Sequence, residues 1–193
     1  VEAVDVGRIT PLTTTAAGAD ILARARSAIG YNTRYSLGKG GRARFWTTGG
    51  WRDEKLRCDC SGFVAWCCGT DRYRPDIPFY KRAAGGWIST TSMVRDANSP
   101  RNATGLFTRV EMPLPGDVVV YADNGGKQGH CGIVSHVGRF AINAAAPSAD
   151  YVWNTLSVVH CSAGNYRRTG DAIQETSGAF FGTKGAIFAR YEP

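Results

Sequence analysis

Cys58-Asp59-Cys60-Ser61-Gly62-Phe63-Val64-Ala65-Trp66-Cys67-Cys68-Gly69 is the stretch around which the rest of the chain is read. Phe63, Val64 and Cys67 fall three, four and seven residues after Cys60, the spacing of one apolar helical face. Gly69 is a natural stop, and Asp59 precedes the first periodic residue with a carboxylate that can accept a first-turn N–H. Cys60 then sits in the first turn, where the helix dipole and unpaired amides favour thiolate over thiol. Two uses of such a cysteine stand side by side: a nucleophile, or one more small buried hydrophobe. On this reading Cys67 and Cys68, being adjacent, do not both face the core.

Outward from this helix, the layout is helices first and strands later. Residues 1–18 read as a lead-in arm. Asp20 is expected to cap a short helix over 21–29 that ends at Gly30. Residues 31–50 are a Gly/Arg-rich loop without the order of a phosphate-binding loop. Residues 70–113 form a long polar segment expected to shape a cleft, with one helix from Ser89 to Ala97 capped by Ser89 or Thr90, and with Phe79, Tyr80 and Trp87 as either a local aromatic mini-core or a ligand-stacking surface. Pro113-Leu114-Pro115-Gly116-Asp117 turns the chain into a strand at 118–121, and 130–137 returns beside it. Further strands are expected at 139–145, 152–161 and 186–191, with 163–184 as a Gly/Thr-rich loop. Helices followed by consecutive short strands argue α+β with an antiparallel sheet, as one domain over residues 1–193.

A 43% hydrophobic content supplies a core and argues against disorder. No run approaches the length of a transmembrane helix, and no signal peptide is visible. The charge of +7 is uneven: residues 24–82 hold 13 Lys/Arg against 5 Asp/Glu, a net of +8, and the remainder nets −1. Such a region suits either solubility or an anionic partner such as a wall polymer. No nucleic-acid motif accompanies it. The cysteines at 58, 60, 67, 68, 131 and 161 do not read as a disulfide framework, although a bridge from Cys58 to Cys67 or Cys68 stays open.

A cysteine nucleophile needs a base within hydrogen-bond reach and a third group to orient it. The chain has three histidines. His130 opens a strand after a loop, where a side chain meets a helix terminus. His136 lies six residues on, roughly 20 Å away at ~3.3 Å per residue, too far to share the site. His160 ends a neighbouring strand and is placed to accept a hydrogen bond from His130. The same Cys and His residues contain enough ligands for zinc, but neighbouring residues on a strand face opposite ways and the Cys-x-Cys spacing is too short, so no metal is expected.

Four motifs fall in order: Asp59-Cys60-Ser61-Gly62-Phe63-Val64, Pro115-Gly116-Asp117-Val118-Val119, His130-Cys131-Gly132-Ile133-Val134 and Val159-His160-Cys161. With residues 25–30, Tyr35 and Gly38 upstream, they resemble the successive motifs of NlpC/P60 cysteine peptidases across residues 20–191. The resemblance implies a papain-like α+β core and hydrolysis of stem peptides in bacterial cell-wall peptidoglycan, without a cofactor. It implies Cys60 as nucleophile, His130 as base and His160 as the third polar residue. Tyr35, Asp59 and Ser61 match positions that in some members line the substrate or bind its amine. The 70–113 segment is longer than in a minimal member. Two other uses of the same site are an amidase, acyltransferase or deamidase on a non-wall substrate, and a non-catalytic module that binds an anionic polymer. Oligomeric state leaves no signal in the sequence.

Overall fold

Asp59 has extended backbone, and its Oδ1 accepts the Gly62 N–H at 2.8 Å, so α2 begins at once and runs Cys60–Cys67 in the computed structural model, which describes residues 14–41, 50–100, 105–138 and 148–193. Its end is closed by a left-handed Gly69 (φ 74°). The Gly69 N–H donates to the Trp66 carbonyl and the Thr70 N–H to the Ala65 carbonyl, both at 3.0 Å, the paired bonds of a glycine-terminated helix. All eight residues of α2 are buried. A helix that is apolar nearly all round belongs inside a protein, and this one is covered on every side. Cys67 and Cys68 are therefore both buried, contrary to the expectation from a one-sided helix. All six cysteines are free and buried.

α2 packs on one face of a six-stranded antiparallel sheet. The strands are β3 (Phe107–Val110), β4 (Val118–Tyr121), β5 (His130–His136), β6 (Ser157–Cys161), β7 (Ile173–Ser177) and β8 (Ile187–Tyr191), in the spatial order β3-β8-β4-β5-β6-β7. Period-two alternation sorts their side chains. Val118, Val120, Cys131, Ile133, Val159 and Cys161 join the core around α2. Val119, Val134, Val158 and Phe188 face a second core, closed by α5 (Ala149–Thr155) and α7 (Ala179–Gly182). This is an α+β fold of the papain-like kind, with seven helices among the described residues and no closed barrel.

The N-terminal helix α1 is longer than the sequence suggests. It runs Ala16–Ser27 and is capped by Thr15, not Asp20, so residues 16–18 belong to it and not to an arm. Arg24 on α1 donates to the Cys67 carbonyl at 2.6 Å, which satisfies the end of α2. A short parallel pair, β1 (Arg34–Tyr35) and β2 (Arg57–Cys58), sets Tyr35 opposite Cys58, just ahead of α2.

Within 70–113, α4 (Thr90–Ala97) is capped by Ser89, one of the two expected caps, reinforced by Ser92. α3 (Pro78–Ala84) was not expected. Of the expected mini-core only Phe79 and Tyr80 are buried, with the Tyr80 hydroxyl donating to Asp96 at 2.8 Å; Trp87 is exposed and packs against Tyr73 instead. Residues 152–161 are not one strand: the first four close α5, and β6 follows. The stretch 163–184, expected as loop, contains α6 (Ala163–Thr169), β7 and α7. The strand expected at 139–145 lies outside the described residues, as do 1–13 of the arm. Among the described residues, no helix is long and apolar enough to cross a membrane.

Candidate active site

His130 and His160 come together where β5 starts and β6 ends. His130 Nε2 lies 2.7 Å from His160 Nδ1, and both rings are buried. Gly132 makes this approach feasible: a Cβ there would stand 2.8 Å from the His160 Cβ and 2.5 Å from a Val158 methyl. Phe181 stacks on His130 with ring centroids 5.5 Å apart and planes 20° apart, which fixes the imidazole plane.

The hydrogen bonds also assign the tautomers. Asn165 Nδ2 has two protons, and these serve the carbonyls of His160 at 3.2 Å and Ala172 at 3.3 Å. His160 Nε2 is 2.9 Å from the Thr176 hydroxyl, whose own proton goes to the Ser177 carbonyl at 3.4 Å, so the hydroxyl accepts from Nε2. Burial, then the neighbouring charges of His130 and Arg168, hold the His160 pKa down to about 3, so this ring is neutral. A neutral His160 that donates from Nε2 to Thr176 has a bare Nδ1, which accepts from His130 Nε2–H. His130 is left with Nδ1 for its other neighbour, Cys60, whose pKa it lowers.

Cys60 has a second neighbour that sequence reasoning did not use. Alternation along β5 turns Cys131 towards α2, into the core that contains Cys60. Hydrogen-bonding stabilisation by Cys131 first, then that of His130 with its charge, outweighs burial and the nearby Asp59 and lowers the Cys60 pKa to about 5. Cys131 itself is pushed up by burial and by Cys60, so it keeps its proton and donates it. Burial likewise raises Cys67, Cys68 and Cys161. Cys60 is thus the thiol most biased towards the nucleophilic form among these.

This balance has a readable consequence. The acid limb of kcat/KM should lie near pH 5, because below it the Cys60 thiolate takes up a proton. Cys131→Ala removes a donor to the thiolate and should move that limb to higher pH. Cys131→Ser keeps a donor and should hold it close to the wild-type position. A pH–rate profile that does not move in Cys131→Ala contradicts this role for Cys131.

The other expected site residues divide. Tyr35 lines a cleft of about 440 Å³ together with Tyr121, His130, His160, Arg168 and Phe180. Burial, then Cys60 and Asp59, raise its phenol pKa, so it stays a hydrogen-bond donor. Asp59 and Ser61, expected to line the substrate, are turned inward. Asp59 is wholly buried: Oδ1 accepts from Gly62 and from the Ser61 hydroxyl at 3.2 Å, and Oδ2 accepts from the Gly38 amide at 2.6 Å and from Arg72 at 2.8 Å. Arg72 Nη2 also donates to Ser61 Oγ at 2.8 Å. No described residue of 70–113 lines the cleft. That segment reaches the site from behind, through Arg72. Nothing in the sequence around Arg72 distinguishes it from the other surface-type arginines.

His136 ends β5 on the exposed side, away from the pair. His136→Ala should leave specific activity within about twofold of wild type, as surface substitutions usually do. A large loss in that variant would reassign the base. The basic region is also partly spent: Arg24 serves the Cys67 carbonyl, Arg57 pairs with Asp53, Arg72 with Asp59 and Arg74 with Asp76. Among the described residues, no group of three or more His, Cys, Asp or Glu is arranged to hold a metal ion.

A family model described as CHAP domain matches residues 48–146, just over half of the chain and a stretch that contains Cys60 and His130. CHAP domains are related to the NlpC/P60 papain-like class, and the resemblance drawn from the four motifs holds at that level. They are typically hydrolases, often cysteine-dependent amidases or peptidases, acting on peptidoglycan. No curated protein matches the chain.

Proposed function

The chain belongs to the CHAP domain family, and on that basis we propose that it is a cysteine peptidase that cuts a peptide bond in peptidoglycan stem peptides, the whole chain acting as one catalytic domain. The observation that carries the reading is the hydrogen-bonded series His130, His160 and Thr176 on the wall of a cleft, with Cys60, whose pKa His130 lowers, at 4% exposure beside it. Cys60 is the nucleophile, His130 the general base and acid, and His160 the group that orients it.

The Cys60 thiolate attacks the scissile carbonyl carbon. The oxyanion that forms is held by the Cys60 backbone N–H, one of the first-turn donors without an intrahelical acceptor, and by the Tyr35 hydroxyl. His130 Nδ1–H gives its proton to the departing amine as the C–N bond breaks, leaving a thioester on Cys60. Water then gives a proton to Nδ1 as its oxygen attacks the thioester, and collapse returns the thiolate and releases a carboxylic acid. Throughout, neutral His160 accepts from His130 Nε2–H, which fixes the ring and supports the imidazolium. Asp59 and Ser61 act on this chemistry by holding the start of α2, with Arg72. Exposed Arg34, Lys39, Lys55, Lys81 and Arg82 are the described basic residues of 24–82 left for an anionic wall polymer.

The test is digestion of purified peptidoglycan, with products read by mass spectrometry. Fragments with a new amino terminus inside the stem peptide support a peptidase. Release of intact stem peptides from the glycan would make the enzyme an amidase, the other activity of the family. Release of neither, with Cys60 still reactive towards iodoacetamide, would move the substrate away from the wall.

A further inference from the structure

The described lining of the cleft contains no aspartate or glutamate and one Lys/Arg cation, Arg168. Arg168 stands on α6, and its Nη2 donates to Asn165 Oδ1 at 2.7 Å. Asn165 is itself 2% exposed. Its amide is tied to the His160 and Ala172 carbonyls, so the guanidinium is anchored to the backbone that carries His160. Among the described residues, Arg168 has no carboxylate partner. A guanidinium offers five donors in a fixed fork, and one bond to Asn165 leaves the remainder of that fork for a ligand.

The anchoring matters because it removes most of the ordering cost that a long, exposed side chain would otherwise face on binding. The charge also bears on His160, which it helps keep neutral, so the guanidinium lies within electrostatic range of the histidine pair. A cleft wall that presents one immobilised cation and no acid, beside the groups that carry out the chemistry, selects for negative charge close to the cut bond.

We propose that Arg168 forms a carboxylate subsite, so that the enzyme favours substrates with a free carboxylate next to the scissile bond over the same peptides with that group amidated. The proposal rests on the stem-peptide reading for its substrate, but the subsite itself does not.

Two measurements on wild type, Arg168→Gln and Arg168→Lys separate these. The first is alkylation of Cys60 at pH 6 and low ionic strength by iodoacetate and by neutral iodoacetamide, with the modified residue identified by mass spectrometry. Arg168→Gln should slow iodoacetate by about threefold or more while leaving iodoacetamide unchanged, and Arg168→Lys should keep much of the wild-type preference. The second compares matched stem peptides that differ in one carboxylate or amide. Wild type should favour the carboxylate by about tenfold, mainly through KM, and Arg168→Gln should lose that preference. An iodoacetate-to-iodoacetamide ratio that does not change in Arg168→Gln overturns the subsite, whatever the peptides show. A fall in that ratio with neither peptide cut leaves the subsite standing and removes the stem-peptide reading. Peptides cut equally well by wild type, whether acid or amide, overturn the proposed preference and leave the peptidase reading intact.

Discussion

Cys60→Ala is expected to lower peptidoglycan hydrolysis by about 10⁴-fold or more, the loss seen when one member of a nucleophile–base unit is removed. The fold should survive. Alanine is the best helix former and the change deletes a single sulfur at the first turn of α2, leaving the Asp59 cap in place. Turbidity clearance and a circular-dichroism melt on the same preparation check both halves. The loss should come in kcat, since the thiolate acts on the reacting carbon and contributes little to holding the rest of the peptide. Activity that persists in this variant at more than a small fraction of wild type contradicts the nucleophile.

The second large effect is on stability. Asp59→Ala removes the α2 cap and leaves the Arg72 guanidinium, 7% exposed, buried without its carboxylate. Breaking a buried ion pair from one side costs about 3–5 kcal/mol, and losing a cap about 1 kcal/mol, with the two not fully additive at one residue. For a chain of this size that corresponds to a melting temperature lower by roughly 10 °C. Arg72 Nε has no hydrogen-bond partner even in the wild type, so the guanidinium already depends on Asp59, Ser61 and the Lys39 carbonyl. Replacing both partners with apolar residues, Asp59→Leu with Arg72→Met, should recover part of the loss, because no charge is then stranded. Asp59→Ala within 1 kcal/mol of wild type in urea unfolding would mean that water reaches Arg72. Activity should fall as well, since the N-terminus of α2 positions Cys60.

The two predictions mark what was and was not readable in the chain. The helix at Cys60 was legible because three local signals agreed: an Asp cap, apolar spacing and a terminal glycine. The helix α4 was legible from its hydroxyl caps, Ser89 or Thr90, of which Ser89 caps it. The strands expected at 118–121 and 130–137 announced themselves through β-branched residues, and 186–191 was expected as the closing strand. Its insertion between β3 and β4 was not readable, because that pairing joins residues some 70–80 positions apart and leaves no local trace.

The misses share a physical cause. β7 has one buried apolar residue in five, since it is an edge strand with a solvated face, and its sequence reads as loop. Yet it supplies Thr176, which sets the tautomer of His160. α5 contains Val152 and Trp153, residues that favour strands. Packing on the second face of the sheet, with a Ser148 cap, makes that stretch a helix instead. Arg72 gave no sign of burial because its partner lies 13 residues earlier and the match is made only in three dimensions. Cys131 was singled out with His130, but its role follows from the direction that alternation gives it, which only the position of α2 makes meaningful. Asp59 carried two readings, cap and substrate contact, and its four inward hydrogen bonds favour the first.

The central claim is a covalent one, that Cys60 carries the acyl group between the two halves of the reaction, and the most direct test is to trap it. Wild-type enzyme mixed with excess stem peptide, quenched in acid during turnover and digested with trypsin, should yield the peptide beginning at Cys58 with an added mass equal to the acyl fragment. The adduct should vanish when the thioester is treated with hydroxylamine, and it should be missing in Cys60→Ala, which should also release no product. Product release by both proteins, with no adduct on that peptide in either, would contradict the account.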